Sequence, residues 1–171
     1  MNEATISIYG GNTVGVERAN LKDISALVRM RLGYLCEDYG GLDDHVVRAI
    51  ENDLPDYFQA HLDRDLFVFV VREEGSIVSC AFLLVVEKPM SPAFINGKTG
   101  IVLNVYTCPP YRKRGYARRI MQSLLADAKD RRLSNIELKS TDAGYTLYRS
   151  VGFADDGSKY KLMKWKNHDI Q

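Results

Sequence analysis

Five basic residues fall within eight positions of this chain, Arg112, Lys113, Arg114, Arg118 and Arg119, with no acid among them. The segment therefore carries +5 in a chain whose 23 Lys and Arg and 22 Asp and Glu sum to +1. Gly115 and the small Ala117 lie inside the run, directly after an apolar stretch and directly before a helical pattern. A helix starting there presents unpaired N–H groups and the positive end of its dipole. Glycine beside a small residue lets a ligand approach the backbone. These features predict an anion site, most naturally for phosphate. A solvated basic turn is the ordinary reading of such a charge run, but it does not predict glycine, small residue and helix start in one place. The spacing is neither Gly-x-x-x-x-Gly-Lys-Ser/Thr nor Gly-x-Gly-x-x-Gly.

The elements that must hold this segment follow from periodicity. Leu21, Ile24, Leu27, Val28, Arg31, Leu32 and Leu35 recur at helical spacing, with Asn20 as cap and Gly40-Gly41 as stop. Val46, Val47, Ile50 and Leu54 give a weaker helix that Pro55 is expected to break before Tyr57, Phe58 and Leu62. Leu66 to Val71 and Ile77 to Glu87 are strand-like runs around the turn Glu73-Glu74-Gly75-Ser76, hence an antiparallel hairpin. Lys88 to Gly100 reads as a loop, equally a lid or a long connection, before a strand from Ile101 to Thr107. Ala117, Ile120, Met121, Leu124, Leu125 and Ala128 mark the clearest helix. A strand at Asn135 to Ser140, a short helix capped by Thr141 or Asp142 and ending at Gly152, and a last strand at Lys159 to Trp165 complete the order. Residues 1–15 read as an N-terminal extension or edge strand. The expectation is one α/β domain over residues 1–171, with a mixed, mostly antiparallel central sheet and helices on both faces.

Arg112-x-x-Gly115-x-Ala117 resembles the Arg/Gln-x-x-Gly-x-Gly/Ala signature of the GNAT superfamily, the acyl-CoA-dependent N-acyltransferases. The setting is similar too: a preceding strand, a Pro-Pro-Tyr-Arg lead-in, an amphipathic helix, a strand, and the close Leu147-Tyr148-Arg-Ser-Val-Gly152-Phe153. With the opening Glu17-Arg-Ala-x-x-x-Asp23, the likeness spans roughly Val16 to Trp165. It implies the GNAT fold and an N-acetyltransferase that moves an acetyl group from acetyl-CoA, the co-substrate, to a primary amine. The acceptor would be a small molecule or a peptide, attacking directly within a ternary complex, and a homodimer is a family habit. The resemblance implies further that Val105, Tyr106 and Thr107 bind the pantetheine arm at a bulge. The pyrophosphate would lie on Arg112, Lys113, Arg114, Gly115, Tyr116 and Ala117, with Arg118 beside it, through backbone N–H groups, side chains or both. Tyr148 would protonate the departing thiolate, which a phenol of pKa about 10 can do at neutral pH. Tyr145, three positions earlier, is its natural confounder. No base is singled out: Asn104 cannot serve, and Glu37, Asp38, Glu87 and His45 are candidates. Acceptor specificity is expected from Tyr34, Tyr39, Tyr57 and Phe58 and from the Lys88 to Gly100 loop. A non-catalytic acyl-CoA-binding module with the same fold is the alternative.

Composition bounds the other classes. Apolar residues make up 46% and charged residues 26% of 171, an ordinary globular balance. Near-neutral charge argues against a nucleic-acid partner built on the Arg112 to Arg119 run. Cys36, Cys80 and Cys108 are odd in number with no Cys-x-x-Cys, which points to the reducing cytoplasm. His45, His61 and His168 are scattered without His-Glu-x-x-His, so no metal is expected, and Gly-x-Ser-x-Gly is absent. Ile77 to Val86, the longest apolar stretch, is half a membrane span, and no membrane partner is expected.

Overall fold

An apolar run without alternation, such as Leu66 to Val71, demands cover on both faces of its strand, because successive side chains point to opposite sides. In the computed structural model, which describes residues 14–167, it has both. Strand β2 (Leu66–Glu73) is buried throughout that run. It pairs antiparallel with β1 (Val16–Arg18) and with β3 (Ser76–Glu87). On one face, Leu66, Val68 and Val70 join a core with Leu27, Val28 and Met30 of α1 (Ile24–Tyr39) and Phe58 of α2 (Asp44–His61). On the other lies α3 (Tyr116–Asp130), burying Ile120, Met121 and Leu124. The tight β2–β3 turn holds Glu74 at φ 49° and Gly75 at φ 78°, the left-handed pair that a two-residue hairpin needs.

Strand β4 (Lys98–Thr107) pairs antiparallel with β3, and β5 (Ile136–Glu137) pairs parallel with β4, giving the order β1-β2-β3-β4-β5. A parallel neighbour requires a crossover, and α3 is that crossover. The chain divides into two compact units, residues 1–139 and 140–171. The first holds the mixed sheet with helices on both faces, as expected. The second holds α4 (Asp142–Ser150), begun by Thr141, whose Oγ1 accepts from the Gly144 N–H at 3.3 Å.

Several expectations need correction. α2 runs unbroken through Pro55. The ring removes one N–H donor, but Glu51, four residues earlier, is exposed and its carbonyl can be hydrated. Leu54 and Phe58 meanwhile hold both halves of the helix in the core. β4 begins at Lys98 rather than Ile101, and the 88–97 connection is pinned rather than lid-like. Asn96 Nδ2 donates to the Arg132 carbonyl at 2.6 Å, and Ser134 Oγ lies 2.7 Å from Asn96 Oδ1. The expected strand at 135–140 shrinks to Ile136–Glu137. Lys159 to Trp165 forms no strand. Adjacent Leu162 and Met163 break the period of two, so neither face would be apolar, and both side chains are exposed. The extension or edge strand expected over residues 1–15 lies, as far as residue 13, outside the described residues, as does His168; the edge strand described is Val16–Arg18, just beyond that range.

Candidate functional site

A bulge opens β4. Pairing steps from Phe82↔Leu103 to Cys80↔Tyr106, so Ala81 alone faces Asn104 and Val105. Asn104 adopts φ 52°, a left-handed conformation that asparagine tolerates better than the β-branched residues around it. It is 4% exposed, accepts from Arg31 Nη1 at 3.1 Å through Oδ1, and directs Nδ2 to Cys80 Sγ at 3.5 Å. On its other side β4 pairs with β5 only at Gly100 and Ile101. From Val102 to Thr107 that edge has no strand neighbour among the described residues. An extended ligand could add there as a strand.

Beyond β4 the chain turns through Pro109–Tyr111 and reaches the basic loop. Lys113 at φ 60° and Gly115 at φ 77° put two left-handed residues into the loop. A Cβ at Gly115 would meet nothing within 4 Å, so the space above it is open. The backbone N–H groups from Lys113 through Arg118 have no acceptor among the described residues, and the first bond of α3 runs from Arg119 to the Gly115 carbonyl at 3.1 Å. This is a cradle of donors at a helix N-terminus, and it fits a pyrophosphate.

The five basic side chains divide. Arg112 Nη2 bonds both carboxylate oxygens of Glu37 at 2.6 Å, while Nε donates to the Thr107 carbonyl at 2.9 Å. Arg114 pairs with Glu73 at 3.2 Å, and Arg119 donates to the Val14 carbonyl at 2.6 Å. Tyr116 is buried with its hydroxyl on Glu73, so its backbone N–H is what it offers a ligand. Lys113 and Arg118 are exposed and have no partner among the described residues. Three arginines thus build the loop, and these two cations stay available to an anion.

Glu37 on α1 ties loop to helix. The Arg112 guanidinium, helped by the Tyr106 hydroxyl at 3.1 Å, holds its carboxyl below the ordinary 4.5 despite some burial. Tyr106 itself is pushed up to about 12 by burial and by Glu37. Glu37 is therefore a strut, and a weaker base than an ordinary carboxylate. A depressed folded pKa contributes stability above pH 4.5 that is lost as pH falls through the lowered value. Glu37→Gln should therefore cost under about 1 kcal/mol at pH 7, the pair being half-exposed, and the gap to the parent should close at acid pH. Denaturant titrations at pH 7 and pH 3 check this; a gap that widens at pH 3 would contradict it.

The other base candidates are scattered. Asp38 and His45 are exposed on α1 and α2, and Glu87 lies 3.9 Å from Lys98 at the far end of β4. Burial raises the Cys80 thiol to about 12 and pushes Cys108 up as well, so neither is a ready nucleophile. A cleft of about 470 Å³ on the α1 face is lined by Ala26, Met30, Gly33, Ile77, Tyr106 and Cys108. It meets β4 at Tyr106.

In the second unit, the Tyr148 ring packs over Gly144, where a Cβ would come within 2.8 Å, and meets Phe153 edge-on at 6.1 Å. Tyr145 donates to Asp155 at 2.9 Å, and that bond pushes its hydroxyl pKa up. Sequence reasoning placed Arg31 on a helix and Glu73 in a turn but missed their contacts with Asn104 and Arg114, and missed the use of Asn104 as the bulge residue; a lone Asn among apolar strand residues was the one available signal.

Residues 34–153 match the family model described as the acetyltransferase (GNAT) family. The chain belongs to the GNAT acetyltransferase family. A solved structure described as a predicted acetyltransferase with acetyl-CoA, from Clostridium acetobutylicum, is 27% identical with a TM-score of 0.74, covering 87% of this chain and 95% of that one. A GCN5-related N-acetyltransferase from Ralstonia eutropha is 25% identical at a TM-score of 0.71, covering 86% and 97%. Glucosamine-6-phosphate N-acetyltransferase from Arabidopsis thaliana, at 15% identity and a TM-score of 0.65 over 89% and 97%, shares the fold. A search of curated proteins found no match. GNAT membership supports acyl-CoA-dependent acetyl transfer as the activity. Among the described residues no group of three His, Cys, Asp or Glu could hold a metal ion, and no helix is long and apolar enough to cross a membrane.

Proposed function

We propose that the whole chain, residues 1–171, acts as one acetyltransferase domain that moves an acetyl group from acetyl-CoA to a primary amine of a small molecule or peptide. The amine attacks the thioester directly within a ternary complex. The observation that carries the reading is the row of acceptor-free N–H groups from Lys113 through Arg118, set beside the free edge of β4. In this reading the amides from Lys113 to Ala117, with the Lys113 and Arg118 side chains, hold the pyrophosphate. Arg112 and Arg114 contribute through the loop shape they impose. Val105, Tyr106 and Thr107 offer backbone groups to the pantetheine, whose sulfur end then runs toward the Asn104 bulge. Tyr148 on α4 gives its proton to the departing thiolate. The free thiols of Cys36, Cys80 and Cys108 fit a reducing cytoplasm.

Calorimetric titration with acetyl-CoA, and separately with CoA, tests the cofactor reading, and micromolar binding is expected. Release of free thiol on adding amines then tests transfer. No binding to folded protein would overturn the proposal; binding without thiol release from any amine would leave the non-catalytic module.

A further inference from the structure

Arg31 projects from α1 onto the β4 bulge and is half-buried. An arginine so placed ordinarily meets a carboxylate, since a desolvated charge without a partner is costly. Arg31 has none: its one hydrogen bond among the described residues goes to the neutral amide oxygen of Asn104, at 3.1 Å. Of five N–H donors it spends one. Its guanidinium lies 5.6 Å from the Tyr34 ring centroid, and Tyr57 of α2 and Cys80 of β3 are close enough to feel its charge. Two acids act on the same tyrosines, Asp65 on Tyr57 and Asp38 on Tyr34, but neither pairs with Arg31, and Asp65 is bonded to His61 Nδ1 at 2.8 Å.

The ground beside Arg31 is open. Leu103 pairs with Phe82, whose side chain belongs to the core under α1 and α2, so both lie on that face. Leu103 is nonetheless 39% exposed and Tyr57 37%. The helices leave the sheet uncovered just where β4 bulges. That gap is walled by aromatic rings and a leucine, with one uncompensated cation.

We infer that Arg31 reads an anionic group, a carboxylate or a phosphate, on the amine acceptor. The inference rests on the proposed function, which brings the sulfur end of acetyl-CoA to the Asn104 bulge. An acceptor whose anion sits on Arg31 holds its amine over the same bulge, a few atoms away. The planar guanidinium suits a carboxylate or phosphate, and the tyrosines supply a rim that shields the pair.

The test compares matched acceptors by thiol release: amino acids against their amides for the carboxylate arm, and phosphoethanolamine against ethanolamine for the phosphate arm. At least one acidic acceptor should exceed its neutral partner by about tenfold in kcat/KM, and the arm in which this occurs identifies the anion. Arg31→Gln keeps a donor for Asn104 and removes the charge. It should erase that preference through the acceptor KM, leaving the acetyl-CoA KM and the neutral amines within about twofold. Wild-type protein that uses neutral amines equally well overturns the inference alone. So does Arg31→Gln slowing acidic and neutral acceptors alike or raising the acetyl-CoA KM, because Arg31 would then only brace the bulge. If no amine releases thiol, the proposed function fails and the inference falls with it.

Discussion

Tyr148→Phe should lower kcat by about two orders of magnitude while leaving the dissociation constant of acetyl-CoA within about twofold. A thiolate leaving a tetrahedral centre departs faster if a proton reaches it, and a positioned donor is worth about 10²- to 10⁴-fold. Phenylalanine keeps the ring that packs over Gly144 and against Phe153, so α4 should hold its shape. Tyr145→Phe provides the contrast. Its hydroxyl already donates to Asp155, so removing it should leave kcat nearly unchanged. Single-turnover thiol release and calorimetry on both variants decide the matter. Equal losses in the two variants, or a Tyr148→Phe protein with undiminished kcat, would return Tyr148 to a packing role.

The basic segment and its setting were legible because local sequence carries them. Periodicity located α1 and α3, capping residues located α4, Gly115 fell beside the start of α3, and the order of elements pointed to a mixed sheet with helices on both faces. What local sequence could not carry was partnership. Arg112 looks like a free cation until folding brings it to Glu37, 75 positions away, and Arg31 meets Asn104 across 73. Both contacts originate on α1, which reaches the loop with one side chain and the bulge with another. The basic run therefore overstated the free charge: two of its five cations remain for a ligand. Pro55 misled in the opposite direction, because a local rule about helix breaking yields when Leu54 and Phe58 are both fixed in a core. At Lys159 to Trp165 strand propensity found no matching pattern of burial, and propensity alone does not order a strand.

The division of the basic run makes a second strong expectation, in which stability and binding move in opposite directions. Arg118 is exposed in the first turn of α3, and a cation there opposes the helix dipole. Arg118→Glu replaces it with the charge that this end of a helix favours, so stability should stay level or rise by about 0.3–1 kcal/mol. If the amides beneath hold a pyrophosphate, the same change puts a carboxylate against the phosphates and removes a charged donor, and acetyl-CoA affinity should fall by one to two orders of magnitude, roughly. Charge repulsion at an exposed site is screened, so the defect should shrink as salt is raised. Arg114→Gln tests the opposite assignment. It breaks a pair with Glu73 and should weaken binding far less directly, with any loss tracking a drop in stability. Thermal unfolding and calorimetry run side by side on the two variants separate the outcomes. Unchanged acetyl-CoA affinity in a stable Arg118→Glu protein would mean that the cradle of N–H groups at Lys113 to Arg118 is not where the phosphates bind.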